Sequence, residues 1–174
     1  MKNKAFTLFE LIVVVILISI VYYITFSNLN VKQNKLNTIT PTNIKQKLLE
    51  YDFDSKIAIK CLNNENIDCL LIIDNSIQKE KIENLFKSCP NIYEYSKDII
   101  QIDYEDLELD QLNSAEVCFE FEVSKNQKSS QIIVETSNDV YIYDNISLKP
   151  NKLKFINDVS FYFEEKENEV RDAF

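Results

Sequence analysis

The chain opens on an almost unbroken apolar run, FTLFELIVVVILISIVYYITF over residues 6–26, in which Glu10 is the single charge. As a helix rising about 1.5 Å per residue it reaches roughly 31 Å, close to a hydrocarbon core of about 30 Å, and predicts one membrane crossing. Tyr22, Tyr23 and Phe26 fall at its far end, where aromatic side chains favour the membrane interface. A cleavable secretory signal fits less well, because its apolar core is usually about 7 to 15 residues and a small-x-small site follows it. Past residue 26 the sequence turns polar and rich in Asn and Lys, with Leu29 and Leu36 on one helical stripe. This stripe predicts that the helix continues outward and lays its apolar side on the rest of the protein. Thr40-Pro41 then marks either a kink or a new helix capped by Thr40, followed by a second helical face of Ile44, Leu48, Leu49 and Tyr51.

From there the period shortens toward two. Ile57, Ile59 and Cys61 alternate with Ala58 and Lys60, and Cys69-Leu70-Leu71-Ile72-Ile73 follows the polar stretch Asn63-Asn64-Glu65-Asn66. An antiparallel register that sets Cys61 opposite Cys69 also sets Ile59 opposite Leu71 and Ile57 opposite Ile73, which predicts a hairpin with one apolar face. Residues 76–86, with a cap at Ser76 and Ile77, Ile82, Leu85 and Phe86 apolar, predict a helix. Val117, Phe119, Phe121 and Val123 alternate with Glu116, Cys118, Glu120 and Glu122 as a half-buried strand. Ile132-Ile133-Val134 and Val140-Tyr141-Ile142-Tyr143 flank Ser137-Asn138-Asp139 as a second hairpin, and residues 160–163 predict an edge strand before an acidic tail over 164–172. The expected fold class is α+β: a long N-terminal transmembrane helix packed on an antiparallel β-sheet. The expected segments are a spanning helix over 6–26, a helical continuation and connector over 27–52, and an α+β head over 53–174.

Composition narrows the chemistry. The 174 residues include no His and no Gly, which removes His-based triads, HExxH zinc sites and glycine-rich phosphate loops. The net charge of −9 provides no basic nucleic-acid footprint, and no direct nucleic-acid partner or cofactor is expected. Lys2 and Lys4 precede the apolar run, so the positive-inside bias keeps the N-terminus cytoplasmic and carries the remainder across. In an exported domain the four cysteines, Cys61, Cys69, Cys89 and Cys118, are disulfide candidates. More than one connectivity is open. The hairpin register favours Cys61 with Cys69 and leaves Cys89 for Cys118; buried free thiols are an alternative, and a four-Cys zinc site lacks the usual CxxC pairs. Asp106, Glu108 and Asp110 collect oxygen ligands suited to calcium, without the glycine of a tight calcium loop. As a strand they face solvent while Leu107 and Leu109 face inward. Nothing places two carboxylates in a shared pocket, and no catalytic residue is named.

Glu10 carries the most information, since a carboxylate at the centre of a lipid-bound helix costs about 2.5–3.5 kcal/mol on insertion scales and calls for a partner. Lys4-Ala5-Phe6-Thr7-Leu8-Phe9-Glu10-Leu11 resembles the processing motif of type IV pilins and type II secretion pseudopilins. The resemblance covers the segment from Lys4 to Phe26. It implies a leader over residues 1–5, cleavage between Ala5 and Phe6 by a prepilin peptidase, N-methylation of Phe6, and Glu10 neutralising the N-terminal amine of a neighbouring subunit. Ala5 stands where the family usually has Gly, and no Pro or Gly interrupts the apolar run. The implied protein is a minor pilin or pseudopilin of a pilus, secretion or DNA-uptake filament, not an enzyme. Its implied partners are the peptidase, other pilin subunits, the assembly machinery and, before assembly, lipid of the inner membrane. The head would lie in the periplasm or outside the cell. A single-pass anchored binding module outside any filament is the alternative reading.

Overall fold

The computed structural model describes residues 8–36, 39–64, 67–110 and 113–172, with side chains described throughout these except at 10, 24–36, 109, 110 and 113. The chain divides into two compact units, Met1–Lys35 and Leu36–Phe174. The first is built on α1 (Leu8–Leu36). The second begins with the short α2 (Ile44–Leu48) and continues as strands β1 (Lys56–Leu62), β2 (Asp68–Ile73), β3 (Ser76–Ile82), β4 (Asn91–Glu94), β5 (Leu107–Asp110), β6 (Asn113–Ala115), β7 (Val117–Ser124), β8 (Ile132–Glu135), β9 (Val140–Tyr143) and β10 (Asn151–Leu153). It closes on α3 (Asp158–Asp172). Thr40 does not cap α2. Its amide donates to Asn43 Oδ1 (2.7 Å), Asn43 N–H returns to the Thr40 carbonyl (3.0 Å), and the helix starts only after this turn.

The expected fold class is corrected. Among the described residues no helix is long and apolar enough to cross a membrane. The second unit is mostly antiparallel sheet. One four-stranded sheet has the order β3-β2-β1-β7, a second has the order β10-β9-β8-β4, and β5-β6 form a separate hairpin.

Alternation explains why these layers stack. The β1–β2 pairing has the expected register, Cys61 opposite Cys69, Ile59 opposite Leu71 and Ile57 opposite Ile73, and β7 extends each row with Phe119, Phe121 and Val123. These three rows are buried and pack on Ile92, Ile132, Val134, Tyr141 and Tyr143 of the second sheet, with Ile44 and Leu48 of α2 in the same core. Because side chains alternate across a strand, Ile133, Val140 and Ile142 point to the other face of the second sheet. There Val159, Tyr162 and Phe163 of α3 cover them. The outer face of the first sheet is half covered: Leu62, Leu70 and Val117 meet Leu107 and Ala115 of the β5–β6 hairpin, and the remainder carries the ion pairs Lys56–Glu122 (2.8 Å) and Lys60–Glu120 (2.9 Å).

Two further expectations are overturned. Residues 76–86 are not a helix, because Asp74 and Asn75, with φ of 49° and 66°, form a two-residue turn that returns the chain as β3 against β2. In a glycine-free chain, Asp and Asn are the residues that best tolerate this left-handed conformation. Residues 160–163 are helical rather than an edge strand. Phe155 N–H bonds Asp158 Oδ2 (3.2 Å) at the start of α3, and Val159, Tyr162 and Phe163 then form an i, i+3, i+4 stripe that only a helix sets on one face.

Two polar ties hold the head's loops. Lys45 is buried and donates to the carbonyls of Asn145 and Ile146, each at 2.9 Å. Burial lowers its pKa, with the Asp144 charge opposing that shift. Asp74 accepts backbone N–H bonds from Asp54 (2.8 Å), Ser55 (2.7 Å) and Lys56 (3.1 Å), which hold its carboxyl below the usual range. Its folded pKa is depressed, so its contribution is present above its unfolded pKa of about 3.9 and fades as pH falls through the folded value. Asp74→Asn is expected to lower the urea midpoint at pH 7, with the gap to the unsubstituted protein narrowing toward pH 2. A gap independent of pH would rule out this linkage. Truncation of fully buried Phe121 to Ala is expected to cost about 3–5 kcal/mol in urea unfolding, and Ile77→Ala, on the exposed edge strand, within about 0.5 kcal/mol.

Candidate functional site

The described side chains of α1 present apolar surface on every side of the helix. Exposure of its large apolar residues runs from 38 % at Val13 to 78 % at Leu8, with Tyr23 at 76 %. A globular helix keeps a polar face for water, and an apolar surface continuous around the helix marks a contact with another apolar body. Ser19, a polar residue inside this run, donates its hydroxyl to the Val15 carbonyl (2.8 Å), so it presents no unsatisfied donor to such a contact. Of the positions the processing motif singles out, Ala5 and Phe6 lie outside the described residues. Glu10 lies within α1, and its side chain is outside the described ones.

The four cysteines form two disulfides, Cys61–Cys69 and Cys89–Cys118. The first joins directly opposed residues of β1 and β2 with Cα atoms 3.9 Å apart and is buried, at 0 % and 1 % exposure. The second links the segment before β4 to β7, so it ties the second sheet to the first, and both its cysteines are partly exposed.

The acidic run is dispersed. Asp106 precedes β5 and is exposed, Glu108 lies in β5 and is exposed, and Asp110 ends β5 with its side chain outside the described ones. Leu107 turns inward onto Leu62, Leu70 and Val117. Among the described residues no group of three or more Cys, Asp or Glu side chains is placed to hold a metal ion. Beside the run, Tyr104 donates to the Glu120 carbonyl (3.3 Å), and burial pushes its hydroxyl up to about 12, which leaves it a neutral packing group. The clefts of the head are shallow. One of about 180 Å³ between Leu85, Phe86, Thr136 and Tyr141 holds Asp139, whose partners are Lys152 (2.9 Å) and Lys154 (3.7 Å).

The sequence pattern does not mark the segment around β10 or the outward side of α3, because residues 160–163 read as a strand. The helical stripe Val159-Tyr162-Phe163 was the available signal. Comparison with protein-family models, curated proteins and solved structures finds no match to this chain.

The difference in burial orders the disulfides kinetically, since exchange needs a thiolate to reach a sulfur. Brief treatment of the folded protein with a dithiol followed by alkylation is expected to label Cys89 and Cys118 well before Cys61 and Cys69. Equal labelling would show that burial of the β1–β2 crosslink gives no protection.

Proposed function

We propose that this chain is a structural subunit of the type IV pilin-like and type II secretion pseudopilin class, clipped before Phe6 by a prepilin peptidase and held in a filament through α1. The observation that carries this reading is the exposed apolar surface around α1, joined to the FTLFEL string at its start. A bundle of sibling helices would cover that surface. Keeping a Val, Leu or Ile side chain from water stabilises by about 1.5–3 kcal/mol, and in exchange for lipid the helices associate through close packing. Glu10 would sit opposite the N-terminal amine of a neighbour, where an ion pair offsets the cost of an apolar surrounding. The two disulfides support a head that works outside the cytoplasm. The head lacks an identified catalytic constellation and serves in this reading as the exposed face of the subunit.

Intact mass and N-terminal sequencing of the protein from its native host, with and without the prepilin peptidase, test the proposal. The expected result is a chain beginning at N-methylated Phe6 only when the peptidase is present. A Met1 terminus in both strains would overturn it and favour a permanently tethered binding module.

A further inference from the structure

Exposed large apolar side chains on the described head residues concentrate toward the end of the chain. Ile146 (80 %), Leu148 (53 %), Phe155 (64 %), Phe161 (71 %) and Val170 all fall within residues 146–170. Four of them divide between two patches of opposite charge. The first spans the β9–β10 connection, β10 at the free edge of the second sheet and the two residues after it, where Ile146, Leu148 and Phe155 are interspersed with exposed Lys149, Lys152 and Lys154. Asp139 offsets part of this charge by pairing with both Lys152 and Lys154. The second patch is the outer stripe of α3, where Phe161, Glu165, Asn168 and Asp172 recur at i, i+4, i+7 and i+11, opposite the Val159, Tyr162 and Phe163 that pack on the sheet. Glu164 on the same side adds a further carboxylate, paired with Lys97 at 2.6 Å.

Within one copy Lys152 of the first patch turns away from α3. Lys152 Nζ lies over the Tyr141 ring, 5.9 Å from its centroid, and Tyr141 belongs to the core between the two sheets, whereas α3 covers the opposite face of the second sheet. Lys152 therefore leans away from the helix whose acids complement it.

We propose that these patches bind each other between copies of this chain, the Lys149–Phe155 edge of one head seating on the Phe161 stripe of the next. Each patch combines exposed aromatic surface with an excess of charge of one sign, and the excesses are opposite, so the occupant that fits either patch is present on the same molecule. The contact joins two different surfaces. It is head-to-tail and propagates along an assembly instead of closing as a dimer. It is also salt-sensitive, because the charges are exposed and screened beyond about 8 Å at physiological ionic strength. Alone it is weak, and subunits already held side by side would make it at high effective concentration. It goes beyond the reading of the N-terminus and does not depend on cleavage before Phe6.

The test uses the full chain in its native host with the photoreactive residue p-benzoylphenylalanine in place of exposed Phe155. Illumination is expected to give a crosslink between two copies that maps by mass spectrometry from position 155 to residues 158–172 of the second. Lys149→Glu is expected to lower the yield about tenfold through like-charge repulsion, and co-expression with a copy carrying Glu165→Lys and Asp172→Lys to restore it. Retention of both disulfides in each variant checks that the head remains folded. Crosslinks only to a different protein, monomer alone, or a self-crosslink unaffected by Lys149→Glu would overturn the proposal and leave the lysines as ordinary protection of a sheet edge. A self-crosslink in a chain that retains Met1 would leave this contact standing and overturn the processing proposal alone.

Discussion

The head depends on the close packing of three cross-strand rows on the inner face of the first sheet: Cys69, Cys61 and Phe119; Leu71, Ile59 and Phe121; Ile73, Ile57 and Val123. All three strands must keep one register for these rows to exist, because a slip of one residue would turn every inward side chain to the outer face. The Cys61–Cys69 crosslink lies within the first row and holds β1 and β2 to that register covalently. Once the rows are set, the second sheet has an apolar floor to close against. Its own alternation then sends Ile133, Val140 and Ile142 outward, and α3 is needed to keep them from water. Each layer thus creates the exposed surface that the next one buries.

The two units have opposite relations to solvent. The unit Leu36–Phe174 buries most of its large apolar residues internally and leaves a few, such as Ile146 and Phe161, among the acids, lysines and amides of its surface. The described side chains of α1 do the reverse. A helix that is apolar all round gains nothing from folding by itself beyond its backbone hydrogen bonds, so its stability in place comes from whatever surrounds it. In the filament reading proposed above, copies of the same helix would meet this requirement.

Local pattern misled where two periods compete. Residues 76–86 contain apolar positions compatible with a helix, yet a two-residue Asp-Asn turn leaves the chain antiparallel to β2, and the backbone pairing available there outweighs a weak helical preference. In residues 160–163 the local string Ser-Phe-Tyr-Phe has strong β propensity. It is helical because its neighbours place Val159, Tyr162 and Phe163 over an apolar sheet face that a strand at this position could not cover. At the N-terminus, the composition of residues 6–26 suggested a full membrane crossing, and among the described residues no helix is long and apolar enough to make one.

The sequence by itself determined the elements whose period is clean and whose partner is near in the chain. The β1–β2 register, the alternation of β7 and the β8–β9 hairpin were legible because side-chain alternation and short connections leave one consistent pairing. The candidate site was legible only as a motif and an apolar run, since Phe6 and Glu10 are marked by residue type and spacing and not by any contact within the chain. Tertiary structure decided the rest. It split the expected single sheet into two, put β7 beside β1 across more than forty intervening residues, and set β10 at an open edge with Lys152 turned from α3. These outcomes depend on which apolar faces find cover, and that is a property of the assembled layers that no local window of sequence contains.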